Sequence, residues 1–167
     1  MMKTVQSNII LLLVFAFFSI ACEKEDESPR VIQKEYVLNS VSDPSIQGTV
    51  TFTKESETST LIRIELDGTT AGDAHPAHVH RNAASDGGGI AIGLNDVAGE
   101  TGVSETVVTQ MGDGTPINYE ELLNFDGHVN VHLSATSMST LIARGDIGSN
   151  SQENNDSNPN NTTNDDY

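Results

Sequence analysis

The chain has no tryptophan, a single cysteine, and only five phenylalanines and three tyrosines among its 167 residues. One cysteine excludes an intramolecular disulfide and every thiolate metal cage. The lack of tryptophan and the scarcity of other aromatics leave no exposed aromatic stripe of the kind that marks nucleic-acid or carbohydrate surfaces. Positive charge is also short, with 8 Lys and Arg against 24 Asp and Glu, for a formal net charge of -16. Such a balance repels nucleic acid and anionic lipid head groups, and suits cations or plain solubility. No glycine loop leads into a helix pattern, so "SDGGG" reads as a turn before a strand and not as a phosphate cradle. Serine or cysteine nucleophile arrangements and paired-carboxylate signatures are missing as well.

The only long apolar run is "IILLLVFAFFSIA", preceded by Lys3 and ending in small residues before Cys22. It is too short for a comfortable membrane span and reads as a secretory signal over residues 1–21. The lone cysteine directly after it, in "SIAC", resembles a bacterial lipobox, with Ser19 standing where leucine is more usual. That resemblance implies lipidation at Cys22, membrane attachment through the lipid, and an outer-membrane location. The acidic "EKEDE" that follows resembles the surface-export signal of some Gram-negative lipoproteins, and implies exposure at the cell surface. Residues 22–33 are then an acidic tether. At the other end, 149–167 is dominated by Asn, Asp and Ser without apolar periodicity, and is expected to be disordered. A single domain remains, over 34–148.

Within that domain the hydrophobic period is two. "TVTFT" alternates Val50 and Phe52 with threonines, "LIRIEL" puts Ile62, Ile64 and Leu66 on one face, and "GIAIGL" alternates Ile90, Ile92 and Leu94. "ETVVTQM" and "STLIARGDI" are further strands, and turn signals such as "DPSIQG", "MGDG" and "FDG" punctuate them. The exception is "TPINYEELLN", where Thr115 as cap and Pro116 at the first helical position predict a short helix. About eight short strands and one loop helix make an all-β antiparallel sandwich or barrel.

All five histidines fall in two of the strand segments, "HPAHVH" (His75 to His80) and "HVNVH" (His128 to His132). Alternation sends Ala77 and Val79 to the core and projects His78 and His80 together on the other face, their Cα atoms about 6.5–7 Å apart. In the second segment Val129 and Val131 face inward, and His128, Asn130 and His132 share the outer face. His128 and His132 are about 13 Å apart along a strand, so only one of them can join His78 and His80 on a single ion. Imidazoles suit Zn²⁺, copper or nickel, whereas Mg²⁺ and Ca²⁺ want oxygens. His75, cut off by Pro76, is expected in the loop entering the strand, as a possible further ligand. Asp73 and Asp86 are carboxylate alternatives. The bland reading of the same residues is a wet sheet face with no ion.

"AHVHRN" followed by "HVNVHLSATSMSTLIARGDIG" resembles the chordin-type CHRD domain, over nearly the whole folded part. More distantly, "VLNSVSDPSIQGTVTFTK", "HVH", "VNVHLS" and "LIARGDIG" are similar to the first hairpin, paired copper ligands, late copper-ligand strand and closing strand of Cu/Zn superoxide dismutase. The resemblance implies a Greek-key dismutase-like fold, His78, His80 and His132 at copper-ligand positions, and His128 as the spare histidine. It also shows departures. "RNAASDGGGIAIGLND" has no histidine where that family has its zinc ligands, the disulfide cysteines are absent, and the substrate-guiding arginine has only the displaced Arg144 as counterpart. Three functions remain open: copper (or zinc) binding at a cell surface, a metal-free interaction module, and a dismutase without its zinc site.

Overall fold

The computed structural model describes residues 30–151. The expected signal peptide, Cys22 and most of the acidic tether lie outside the described residues, as does the tail beyond Ser151. The period-two segments form ten strands in one continuous antiparallel sheet. They are β1 (Gln33–Ser40), β2 (Gln47–Lys54), β3 (Thr60–Asp67), β4 (Ala74–His75), β5 (Ala77–Arg81), β6 (Ile90–Gly93), β7 (Val97–Ala98), β8 (Val103–Val108), β9 (Asp126–His132) and β10 (Leu141–Gly148). Two of these, β4 and β7, are only two residues long.

The spatial order is β4-β7-β8-β3-β2-β1-β10-β9-β5-β6. β1 turns the sheet on itself, because Gln33 to Leu38 pair with β2 while Asn39 and Ser40 pair with β10. The consecutive strands β1, β2 and β3 with β10 returning beside β1 make the Greek-key arrangement. The sheet curls into a half-barrel, in keeping with the expected sandwich or barrel.

The core lies between the two halves. Val50 faces Ile64 and Phe52 faces Ile62 across the β2–β3 ladder, and all four are essentially inaccessible. Val79, Val129, Val131, Ile142 and Ile147 meet them from the other half. Thr49, Thr51, Thr53, Arg63 and Glu65 occupy the alternate, outer positions, as alternation requires. Burial fixes the register. A one-residue slip of β9 would expose Val129 and Val131, at about 1.5–3 kcal/mol each.

Three local expectations change. The helix α1 spans Tyr119–Leu123 and starts later than Thr115 and Pro116 suggest. Pro116 is instead engaged in an isolated bridge with Gln110, and Ile117 donates to the Thr109 carbonyl. Asn118 is the cap, its side chain accepting from the Glu121 amide while Glu121 accepts from the Asn118 amide. That reciprocal capping box satisfies two end groups that Thr115 could not reach.

In β6 the alternation fails: Ile90 is exposed, whereas Ala91 and Ile92 are both buried. The β5–β6 ladder is irregular between Val79 and His80, pairing Val79 with Ile92 and His80 with Ile90. Ala91 is the extra residue, and such a bulge reverses the facing of what precedes it. Finally, Ser149 and Asn150, assigned to the tail, are tied to the domain through the Phe125 carbonyl and the Asp126 carboxylate.

Candidate metal centre

β5 and β9 lie side by side, with Ala77 opposite Val131, His78 opposite Asn130, Val79 opposite Val129 and His80 opposite His128. The inward valines lock this register, so the outward residues form a fixed grid. On it His78, His80 and His132 come together, each offering a ring nitrogen within 4.8 Å of the others. Ring centroids are 5.9 Å apart for His78 and His80, 5.3 Å for His78 and His132, and 6.4 Å for His80 and His132. The rings are mutually inclined by 83°, 64° and 51°, so they converge without stacking.

The second nitrogens explain the orientation. His80 Nδ1 donates to the Gly88 carbonyl at 2.9 Å, and His132 Nδ1 to the Met138 carbonyl at 2.6 Å. Each bond fixes a tautomer and leaves Nε2 with a free lone pair, the arrangement that metal-ligating histidines adopt. His80 Nε2 and His132 Nε2 are buried and have no partner, and the same is true of His78 Nδ1. Buried polar atoms are normally satisfied. Three orphaned ring nitrogens, one from each ring of the cluster, are what a cation would satisfy.

Burial favours the neutral form of two of the rings, His78 and His132. Burial holds His78 below its ordinary value, helped by repulsion from His132 and His80 and opposed by Asp96. Burial also lowers His132, against the upward pull of its Met138 hydrogen bond and with a further lowering from His80. Neutral imidazole is the ligating form, so neither proton has to be displaced near pH 7. A group of three imidazoles can hold zinc, copper or nickel.

The remaining histidines have other work. His128 is buried, donates Nδ1 to the Asn82 carbonyl at 2.7 Å, and stacks on His80 with centroids 5.2 Å apart and planes at 19°. It steadies a ring of the cluster without belonging to it. His75 is not in a loop: it is buried in β4, pairs with Val97, and binds the Leu133 carbonyl through Nδ1 at 2.9 Å. It lies outside the three-ring group, as do Asp73 and Asp86. Through Leu133 it secures the chain just after His132, and the His132 amide bonds back to the Pro76 carbonyl.

Less expected is the loop from Asn82 to Gly89, which fastens onto the histidine face. Arg144 and Asp146 of β10 sit in register with Asn130 and His128, on the same side of the sheet. Asp146 accepts from the Ala84 amide at 2.6 Å, and the Arg144 guanidinium donates to the Ala84 carbonyl at 3.4 Å. Asn82 takes a left-handed conformation (φ 64°), which asparagine tolerates, and its side chain bonds the Gly87 carbonyl. At Gly88 a Cβ would stand 2.0 Å from the Arg81 carbonyl oxygen, so only glycine fits. The glycines of "SDGGG" therefore have a use that a turn signal does not reveal: Gly88 presents the carbonyl that orients His80. The hint in the sequence was their spacing, eight residues from His80 to Gly88, but partners that are main-chain atoms carry no residue-type signature.

Compared with known families and curated proteins, the chain matches no family model and no curated protein.

Proposed function

We propose that this chain is a bacterial CHRD-type lipoprotein, attached to the outer membrane through Cys22 and facing the cell exterior, whose β domain binds one copper ion through His78, His80 and His132. The observation that carries the metal reading is the set of three buried, partnerless ring nitrogens, His78 Nδ1, His80 Nε2 and His132 Nε2, on three rings already gathered on one face. Copper is favoured among divalent ions by the usual affinity order at nitrogen sites; zinc is the alternative that the same donors accept. Bound copper would supply reversible one-electron exchange or simply be carried. The protein's part is to hold two ring tautomers through Gly88 and Met138, to brace His80 with His128, and to leave His78 and His80 half-exposed to solvent.

The reading stops short of superoxide dismutation. No histidine follows His80 until His128, so a dismutase-type second metal has no ligands there, and Arg144 is engaged with the Ala84 carbonyl. The lipobox resemblance of "SIAC" and the acidic run behind it support the location.

Metal analysis after copper loading tests the site. About one equivalent is expected for the parent, and none for a His78→Ala/His80→Ala/His132→Ala variant. Equal copper in both would place the ion away from the three histidines, and none in the parent would leave the metal-free interaction module as the reading. Membrane fractionation tests the anchor: a Cys22→Ser chain should leave the membrane fraction, and one that stays refutes lipidation there.

A further inference from the structure

We infer that Asn130 is a fourth donor of this centre, its side-chain amide oxygen completing an N3O set that favours Cu(II) over Cu(I). The inference rests on the copper reading above and deepens it. Six buried side-chain polar atoms lack a partner among the described residues: Thr60 Oγ1, His75 Nε2, His78 Nδ1, His80 Nε2, His132 Nε2 and Asn130 Oδ1. Four of the six lie on β5 and β9, on the single outward face that the three rings share. Asn130 sits in the middle of it, opposite His78 across the ladder and two residues from His132 along the strand.

An amide oxygen is a strong acceptor, and leaving it buried without a donor costs about 1–3 kcal/mol. The cationic side chain in register with it does not relieve it. Arg144 is the register partner of Asn130 on β10, yet its guanidinium goes to the Ala84 carbonyl. The N–H groups of His80 and His132 point away to Gly88 and Met138, and no bond from His78 reaches Asn130. What the face presents is four buried, partnerless polar atoms at neighbouring positions of β5 and β9. One cation answers all four, where a hydrogen-bond donor would answer one.

The chemistry of the fourth donor sets the preference. A neutral amide oxygen is a hard ligand, which suits a divalent ion, whereas Cu(I) prefers thioether or thiolate sulfur. No cysteine and no carboxylate belongs to the cluster. Asn130 thus gives Cu(II) a contact from which Cu(I) gains little.

Two substitutions, one that truncates the side chain and one that keeps its shape, separate ligation from packing. Cu(II) and Cu(I) affinities of the full chain are measured by chelator competition, with electron paramagnetic resonance of the Cu(II) form. Asn130→Ala should still take up one equivalent of copper, but bind Cu(II) about tenfold more weakly with Cu(I) nearly unchanged. For a one-electron couple that tenfold raises the potential by about 59 mV. Asn130→Asp keeps the shape, adds an anionic oxygen, and should shift both quantities the opposite way. Both variants should alter the Cu(II) spectrum. Parental spectra and affinities in both variants, or an equal loss of Cu(II) binding in both, would show that Asn130 is only a sheet residue, while the three-histidine site stands. If the parent binds no copper, the copper reading falls and this inference with it.

Discussion

Two rings of the cluster, His78 and His132, are partly buried, and that burial governs how they respond to protons. His78 and His132 both titrate below the ordinary histidine value of 6.5, chiefly because of burial. In the unfolded chain they return to about 6.5, so as pH falls the unfolded state takes up protons first. Stability conferred by the neutral rings is complete above that value and is lost as pH drops through the lowered folded values. Chelator-treated protein should therefore melt at a lower temperature at about pH 5.5 than at about pH 7.5, and a His78→Ala/His132→Ala variant should show a flatter profile. Equal slopes would contradict this. Asp43, Glu65 and Asp113 are also lowered, but from carboxylate values, and act only in stronger acid. At this scale the sequence was informative where side chains obey strand parity, as with His78 and His80 beside Val79. It marked His128 as spare but was silent on its partner, the Asn82 carbonyl, and it misplaced His75, because a two-residue strand leaves no period to read.

Among the elements, the loop after β5 matters most to the site. Substituting Gly88 by Ala forces a Cβ against the Arg81 carbonyl, which must move and take the His80 acceptor with it. Copper affinity should fall about 10–100-fold, as when outer partners of metal ligands are lost, and titration against a chelator of known affinity would read it. Asp146→Ala removes the acceptor of the Ala84 amide. It should cost about 1–3 kcal/mol in urea unfolding and weaken copper less than the glycine change, since Gly88 itself is untouched. Helix α1 offers a control remote from the rings: Asn118→Ala breaks the capping box at about 1 kcal/mol and should leave copper affinity as it was. The capping residue was legible in hindsight, since "NYEE" carries Asn118 and Glu121 at capping-box spacing. Pro116 was the stronger signal, and a single β-bridge to Gln110 overrode it.

For the whole molecule, alternation was a sufficient guide to fold class because both halves of the sheet bury one face and wet the other. It faltered at β6, where a bulge shifts the parity and no residue announces it. The center of gravity of the core is Phe52, wholly buried and edge-on to Tyr36 with ring centroids 5.2 Å apart. Phe52→Ala should lower unfolding free energy by about 3–5 kcal/mol, seen as a shifted urea midpoint. By contrast, Arg63→Ala should change it by less than about 1 kcal/mol, because its pairs with Glu65 and Glu105 are solvent-exposed. The ties from His80 to Gly88 and from His132 to Met138 have one more consequence, which concerns traffic. They are made by the polypeptide alone, and the core beneath the face is apolar and complete. An ion bound here would be cargo on a finished dock, unlike the zinc of a finger whose chain folds around it. Chelation should strip the copper while far-ultraviolet circular dichroism stays the same, and the emptied domain should refill without a refolding delay. A protein built that way can hand its ion to an acceptor and return for another.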